Sequence, residues 1–172
     1  MQDLSPIKFY SKTMKDSLLQ QIAKLQALLQ TLSFQRPARL TNLVQKKADE
    51  VIAEMTTFGY KVMIYQGFRS FAEQDALYAQ GRTKPGTTVT NAKGGDSLHN
   101  WGCAVDIVFL TNNRPSWDDS HPWHILGQIG KKHGFDWGGD WPSFPDRPHF
   151  QITLGYNLSD FKTGKVDYRK FL

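Results

Sequence analysis

Three residues of this sequence could together hold a metal ion, and one of them, Asp106, sits in surroundings that ordinary folding does not favour. Asp106 interrupts the apolar run Ala104-Val-Asp-Ile-Val-Phe109. A lone carboxylate buried in such a strand costs several kcal/mol unless it is paired or bound to metal. His99 stands seven residues earlier, at the end of a glycine-rich stretch, and Gly102 lets the backbone turn between the two. That spacing suits one ligand from a loop and one from a strand, not two from a single helix face. His149 opens a later β-rich segment, and Pro148 biases Arg147 toward extended backbone. Two imidazoles and one carboxylate leave a fourth position for water, the usual composition of a catalytic zinc site. Zinc lowers the pKa of such a water from about 15.7 toward 7. Two of the three also have ordinary readings: an edge aspartate or ion pair for Asp106, a satisfied loop histidine for His99.

Around these three stand possible helpers. Asp146 lies in the Pro-bounded turn Pro145-Asp-Arg-Pro148, three residues before His149. If His149 is a ligand, Asp146 is placed to take a proton as general base; otherwise it caps the turn or pairs with Arg147. Arg69 offers a fixed positive charge that could stabilise an oxyanion or grip a substrate carboxylate. It could also cover apolar surface with its stem. Trp101, Trp137 and Trp141 read as packing residues, with groove walls as the second reading. Cys103 reads as small buried filler, and His133, beside Lys131, Lys132 and Gly134, as a helix C-terminal residue. His121 and His124 read as structural.

Several elements must position these groups. Leu18, Ile22, Leu25, Leu29 and Leu32 form a helical stripe, which Pro37 ends. Val44, Ala48, Val51, Met55 and Phe58 form a second, with Thr41 as N-cap and Gly59 as its stop. Together they predict an N-terminal helical hairpin, with residues 1–36 as a segment packing on a domain of residues 37–172. A strand is expected over 61–65. Ser70-Phe-Ala-Glu73 has capping-box form and starts a helix that runs to about Gln80, with Gly81 just past its end. That puts Arg69 between a strand end and a helix start. Residues 81–97 read as a long loop, 104–109 as a strand, 111–122 as another loop, 123–133 as a helix and 149–154 as a last strand. Helices and strands are interspersed without a βαβ phosphate fingerprint. The fold class is therefore α+β, a small mainly antiparallel sheet flanked by helices.

Composition sets the outer bounds. The chain has 172 residues, enough for one domain with a short appendage. Its single cysteine excludes an intrachain disulfide framework. No stretch approaches the roughly 18 apolar residues of a membrane span, and residues 1–30 lack the apolar core of a secretory signal. The net charge of +5 favours an anionic partner such as bacterial wall, anionic lipid or nucleic acid. There is no clustered basic stripe to support nucleic acid.

The motifs together resemble a known family. Ser97-Leu-His-Asn-Trp-Gly-Cys-Ala-Val-Asp106 fits the S-x-H-x-x-G-x-A-x-D pattern of the zinc peptidoglycan peptidases of the D-alanyl-D-alanine carboxypeptidase superfamily, peptidase family M15. Asp146-Arg-Pro-His149 fits that family's second motif, carboxylate-x-x-His. Gly81-Arg-Thr-Lys-Pro-Gly86, Val89-Thr90 and Trp137-Gly-Gly-Asp-Trp141 resemble its L-alanyl-D-glutamate endopeptidase branch, which includes phage endolysins. The resemblance spans roughly residues 40–154 and implies a fold like the hedgehog and D-Ala-D-Ala peptidase domains. It implies Zn2+ held by His99, Asp106 and His149, with Asp146 as catalytic base. Arg69 would polarise or bind substrate, and Ser97 and Trp141 would contact it. The implied partner is the peptidoglycan stem peptide, with no nucleic acid and no stable membrane insertion, and the chain is expected to act as a monomer. Cleavage between L-alanine and D-glutamate is the expected reaction. The alternatives are a D-alanyl-D-alanine carboxypeptidase and a non-catalytic zinc-containing wall-binding module. The substrate lies outside the cytoplasm, so release through a phage pore or by a secretion machine is expected.

Overall fold

The computed structural model describes residues 12–33 and 39–171. The chain divides into two units, with the boundary between Gln35 and Arg36. In the first, helix α1 spans Lys12–Ser33 and exposes Leu18, Ile22 and Leu25 of the predicted stripe. The side chains of Leu29 and Leu32, and the expected link at Pro37, lie outside the described residues.

The second unit is built on five strands. β1 is Val62–Gln66, β2 Ala104–Thr111, β3 Arg114–Ser116, β4 Asp136–Trp137 and β5 His149–Gln151. They form one sheet of order β1-β2-β5-β4, with β3 also on β2, and every ladder is antiparallel. β2 is buried at Ala104, Val105, Ile107, Val108 and Phe109, so it reads as a nearly continuous apolar run. α2 (Asn42–Thr57) and α4 (Trp123–Lys132) cover the sheet, with Val44, Ala48, Val51 and Met55 of α2 fully buried. Thr41 caps α2, its hydroxyl accepting from the Val44 N–H at 3.5 Å. Phe58 departs from the expected stripe. It is the C-cap residue, where the helical rotation has ended, and its side chain is 60% exposed.

α3 (Phe71–Ala79) begins with the predicted capping box, complete in both directions between Ser70 and Glu73. Gly81 follows its C-cap at φ +73°, and a Cβ there would lie 2.5 Å from the Thr88 nitrogen. The long 81–97 segment is tied back onto α3: Arg82 donates to the carbonyls of Tyr78 (2.8 Å) and Thr90 (2.9 Å). His133 caps α4 as expected, and its ring also meets Glu50 at 3.1 Å and Glu54 at 2.8 Å on α2. Cys103 is buried, and burial pushes its thiol up to about 12.

Two expectations need correction. The 111–122 loop contains β3, because Asn112 and Asn113 take φ 53° and 59° and make a tight hairpin from β2. The last strand ends at Gln151, not Leu154: Ile152 still bonds to the Cys103 carbonyl, and Leu154 then turns the chain at φ 49°. Beyond it, α5 (Leu158–Thr163) and a 3-10 turn, Tyr168–Phe171, add Phe161, Val166 and Phe171 to the core.

Candidate metal centre

Sheet register brings two of the candidate ligands together. Asp106 of β2 and His149 of β5 are direct antiparallel partners, so their side chains leave the same face of the sheet. On the neighbouring pair Val105 and Phe150 point the other way, into the core. His99 arrives from the 3-10 turn Leu98–Trp101. Ser97 caps that turn, its hydroxyl accepting from the His99 N–H at 3.4 Å, and Gly102 ends it in the left-handed region at φ 68°. The chain thus folds back on itself between His99 and Asp106.

The three donor atoms form a nearly equilateral triangle. His99 Nε2 lies 3.2 Å from Asp106 Oδ1 and 3.2 Å from His149 Nδ1, and the third side is 3.3 Å. Ligands at 2.0–2.1 Å around a tetrahedral zinc stand about 3.3–3.4 Å apart, which is the size of this triangle. The far side of each ring fixes its tautomer. His99 Nδ1 donates to the Gly67 carbonyl at 2.8 Å, and His149 Nε2 donates to Gln151 Oε1 at 3.0 Å. Both inward nitrogens therefore present lone pairs, as does the carboxylate. Three lone pairs converging in a buried site need a cation between them. The arrangement also carries the outer hydrogen bonds that orient metal-bound histidines. The donor set and its spacing fit zinc.

The electrostatics carry the same demand. Burial alone would raise the Asp106 carboxyl, but positive charge between it and the facing imidazoles, His99 before His149, holds it well below the ordinary carboxylate range, whether a proton or a metal ion carries that charge. Burial opposes a charge on His149, yet its bond to Asp106 and that carboxylate's charge raise its pKa above 6.5. Asp146 moves the other way: burial, then repulsion from Asp106, raise it above 3.8. Among the described residues none hydrogen-bonds the Asp146 carboxylate oxygens. Its backbone N–H is held by the Gly138 carbonyl at 2.9 Å. A Cβ on Gly138 would lie 2.6 Å from the Asp146 carbonyl oxygen and 3.0 Å from His149 Cβ, so only glycine lets that turn approach.

All seven residues expected at the site line one cleft of about 930 Å³. Arg69 lies 3.7 Å from Asp106 Oδ2 and donates to Gln74 Oε1 at 2.7 Å. Burial lowers its pKa, against the opposing charges of Asp106, Glu73 and Asp146. Trp141 leans against His149, with ring centroids 5.0 Å apart. Ser97 spends its hydroxyl on the cap just described, at the cleft wall.

Sequence reasoning missed the residues that hold these groups in place. Gln74, fully buried, links Arg69 to the Ala92 carbonyl (2.8 Å) and the Thr90 hydroxyl (3.3 Å). Asn100, also fully buried, donates to the carbonyls of Arg69 (2.8 Å) and Ser70 (3.1 Å), and accepts from the Gly95 N–H. Neither carries a spacing signal, since their partners stand far off in sequence. Gln151 had one, two residues along a strand from His149 and on the same face.

The fold and this site define a class: an α+β protein whose strand-borne aspartate and two histidines are placed to hold one cation, with a separate carboxylate in the same cleft. A family model described as D-alanyl-D-alanine carboxypeptidase matches residues 90–152. The peptidoglycan L-alanyl-D-glutamate endopeptidase CwlK of Bacillus subtilis is 42% identical over 125 residues, covering 67% of this chain and 75% of CwlK. The L-alanyl-D-glutamate peptidase of Listeria phage A118 is 31% identical over 109 residues, covering 62% of this chain but only 36% of the phage protein. In fold, the chain is similar to DacB of Streptococcus pneumoniae D39, with TM-score 0.56, 17% identity, and 81% and 79% of the two chains covered. The chain belongs to the M15 peptidases.

Proposed function

We propose that this chain hydrolyses the amide bond between L-alanine and D-glutamate in the stem peptide of peptidoglycan, with zinc held by His99, Asp106 and His149. The observation that carries this reading is the 3.2–3.3 Å donor triangle with an unligated carboxylate, Asp146, in the same cleft. The 42% identity to an enzyme named for that bond supports the choice of substrate. No helix among the described residues is long and apolar enough to cross a membrane. The wall is the site of action, reached through a phage pore or a secretion machine, and the chain acts there as a monomer.

When bound, zinc supplies a Lewis acid that polarises the scissile carbonyl and acidifies the attacking water. Asp146 accepts the proton of that water on a carboxylate oxygen and delivers it to the leaving amine of D-glutamate as the C–N bond breaks. Burial holds that proton more tightly than an exposed carboxyl would, which suits a group that must both take and return it. Arg69, steadied by Gln74, carries negative charge developing on the carbonyl oxygen or grips the free carboxylate of D-glutamate. Trp141 packs against His149, and Ser97, whose oxygen caps the turn, keeps its hydroxyl proton to donate to the peptide.

Digestion of purified wall, followed by mass spectrometry of the new termini, tests the reading. Peptides beginning with D-glutamate are expected. Release of terminal D-alanine alone would make the chain a carboxypeptidase instead. Binding to wall fragments without cleavage would make it a binding module.

A further inference from the structure

Beside the metal-centre cleft lies a second hollow of about 520 Å³, within the roughly 300–1,000 Å³ range of small-ligand sites. Tyr65, Trp117, Asp106 and Asp146 border both spaces. Tyr65 belongs to β1 and Trp117 follows β3, and both strands pair with β2, which carries Asp106. Their rings meet edge to face, centroids 4.8 Å apart at 90°. Neither is spent on the core: Tyr65 is 53% exposed and Trp117 48%. Large apolar groups left open together mark interaction sites more often than single exposed residues do. Arg147 and Asp119, ion-paired with one another, complete the polar side of the hollow.

Aromatic faces beside a guanidinium and a carboxylate suit a pyranose. The C–H face of the sugar packs on the rings, while its hydroxyl and N-acetyl groups exchange hydrogen bonds with the charged pair. The proposed substrate demands such a group close by. In peptidoglycan, L-alanine is joined directly to the lactyl ether of N-acetylmuramic acid. With the L-Ala–D-Glu bond at the triangle, L-alanine and the lactyl bridge separate it from the sugar ring, about two residue lengths or roughly 7 Å at full extension. A hollow that shares Asp106 and Asp146 with the cleft is within that reach.

We propose that Tyr65 and Trp117, with Arg147 and Asp119, form a subsite for the N-acetylmuramoyl sugar on the L-alanine side of the scissile bond. The proposal rests on the hydrolytic reading above and gives it a specificity determinant: the enzyme reads sugar and peptide together.

The test compares two soluble substrates sharing one stem peptide, one capped on L-alanine by N-acetylmuramic acid and the other by acetyl. Zinc-loaded wild type should favour the muramoyl peptide in kcat/KM by at least tenfold. Trp117→Ala and Tyr65→Ala should each lower that preference at least fivefold, and Trp117→Phe should retain it. A merely structural role would slow both substrates and leave their ratio unmoved. A wild-type ratio near one, or a ratio unchanged in folded variants, overturns the proposal. Because the wild-type ratio needs no substitution, the test stands even if a variant does not fold. Failure of the wild type to cleave either substrate, or intact wall, overturns the hydrolytic reading and this subsite with it. Cleavage of both at equal rates overturns the subsite alone.

Discussion

Replacing Gln151 with methionine removes one hydrogen-bond acceptor at nearly constant volume, and the consequence should be read at the metal. Gln151 Oε1 accepts the Nε2 proton of His149 at 3.0 Å, on the side of the ring away from the donor triangle. That bond keeps the proton off Nδ1. Without it, the proton can move to Nδ1, where it faces His99 Nε2 and Asp106 Oδ1 and competes with the ion for the same space. Leaving a buried donor without a partner costs about 1–3 kcal/mol. Loss of an outer hydrogen bond to a metal-binding histidine costs about 10–100-fold in metal affinity, which is about 1.4–2.7 kcal/mol. The two ranges agree, so Gln151→Met should weaken zinc binding by one to two orders of magnitude. Competition of metal-stripped protein against a chromophoric chelator near neutral pH measures it directly, with circular dichroism to show that the variant is folded. Gln151→Glu supplies a stronger acceptor and should bind zinc at least as tightly as wild type. Unchanged zinc affinity in a folded Gln151→Met variant would refute the reasoning, because His149 would then not be oriented as the geometry requires.

Two further outcomes follow from the same site. Asp146→Asn should retain zinc but lose about 10²–10⁴-fold in kcat, the usual contribution of a general base. In the wild type the base must be ionised, and its pKa lies above 3.8. Activity should therefore rise with pH through an acid limb that reports this ionisation, and the residual activity of Asp146→Asn should lack that limb, as a pH–rate profile would show. Gly138→Ala should displace the Asp146 turn, since its Cβ would stand 2.6 Å from the Asp146 carbonyl. Displacements near 1 Å at a reacting group can cost about 10²-fold. Wall-digestion rates should fall accordingly, and a fully active variant would show that the turn is not held as described.

One corner of the donor triangle was legible in the sequence because Asp106 is chemically out of place, whereas His99 and His149 stood out only through the motifs they share with a known family. A carboxylate in the middle of Ala104–Phe109 needs a reason, and register supplies it by pairing Asp106 with His149. The capping box at Ser70 and the buried stripe of α2 were legible too, since each rests on contacts within one helix. Phe58 misled because periodicity says nothing of where a helix stops. The Asn112-Asn113 hairpin was written in residues that tolerate positive φ, but a three-residue strand containing Pro115 gives almost no alternation to read. Asn100 and Gln74 could not be found at all. Asn100 reaches back to Arg69 and Ser70, Gln74 forward to Thr90 and Ala92, and only the folded chain brings those partners together.

X-ray absorption at the zinc edge, on protein loaded with one equivalent of metal, tests the centre most directly. Two imidazole nitrogens and carboxylate or water oxygens at about 2.0–2.2 Å, without sulfur, are predicted. A sulfur shell at about 2.3 Å, which would bring in Cys103, or a hexa-aquo spectrum with no imidazole scattering, would contradict the assignment of His99, Asp106 and His149 as the ligands.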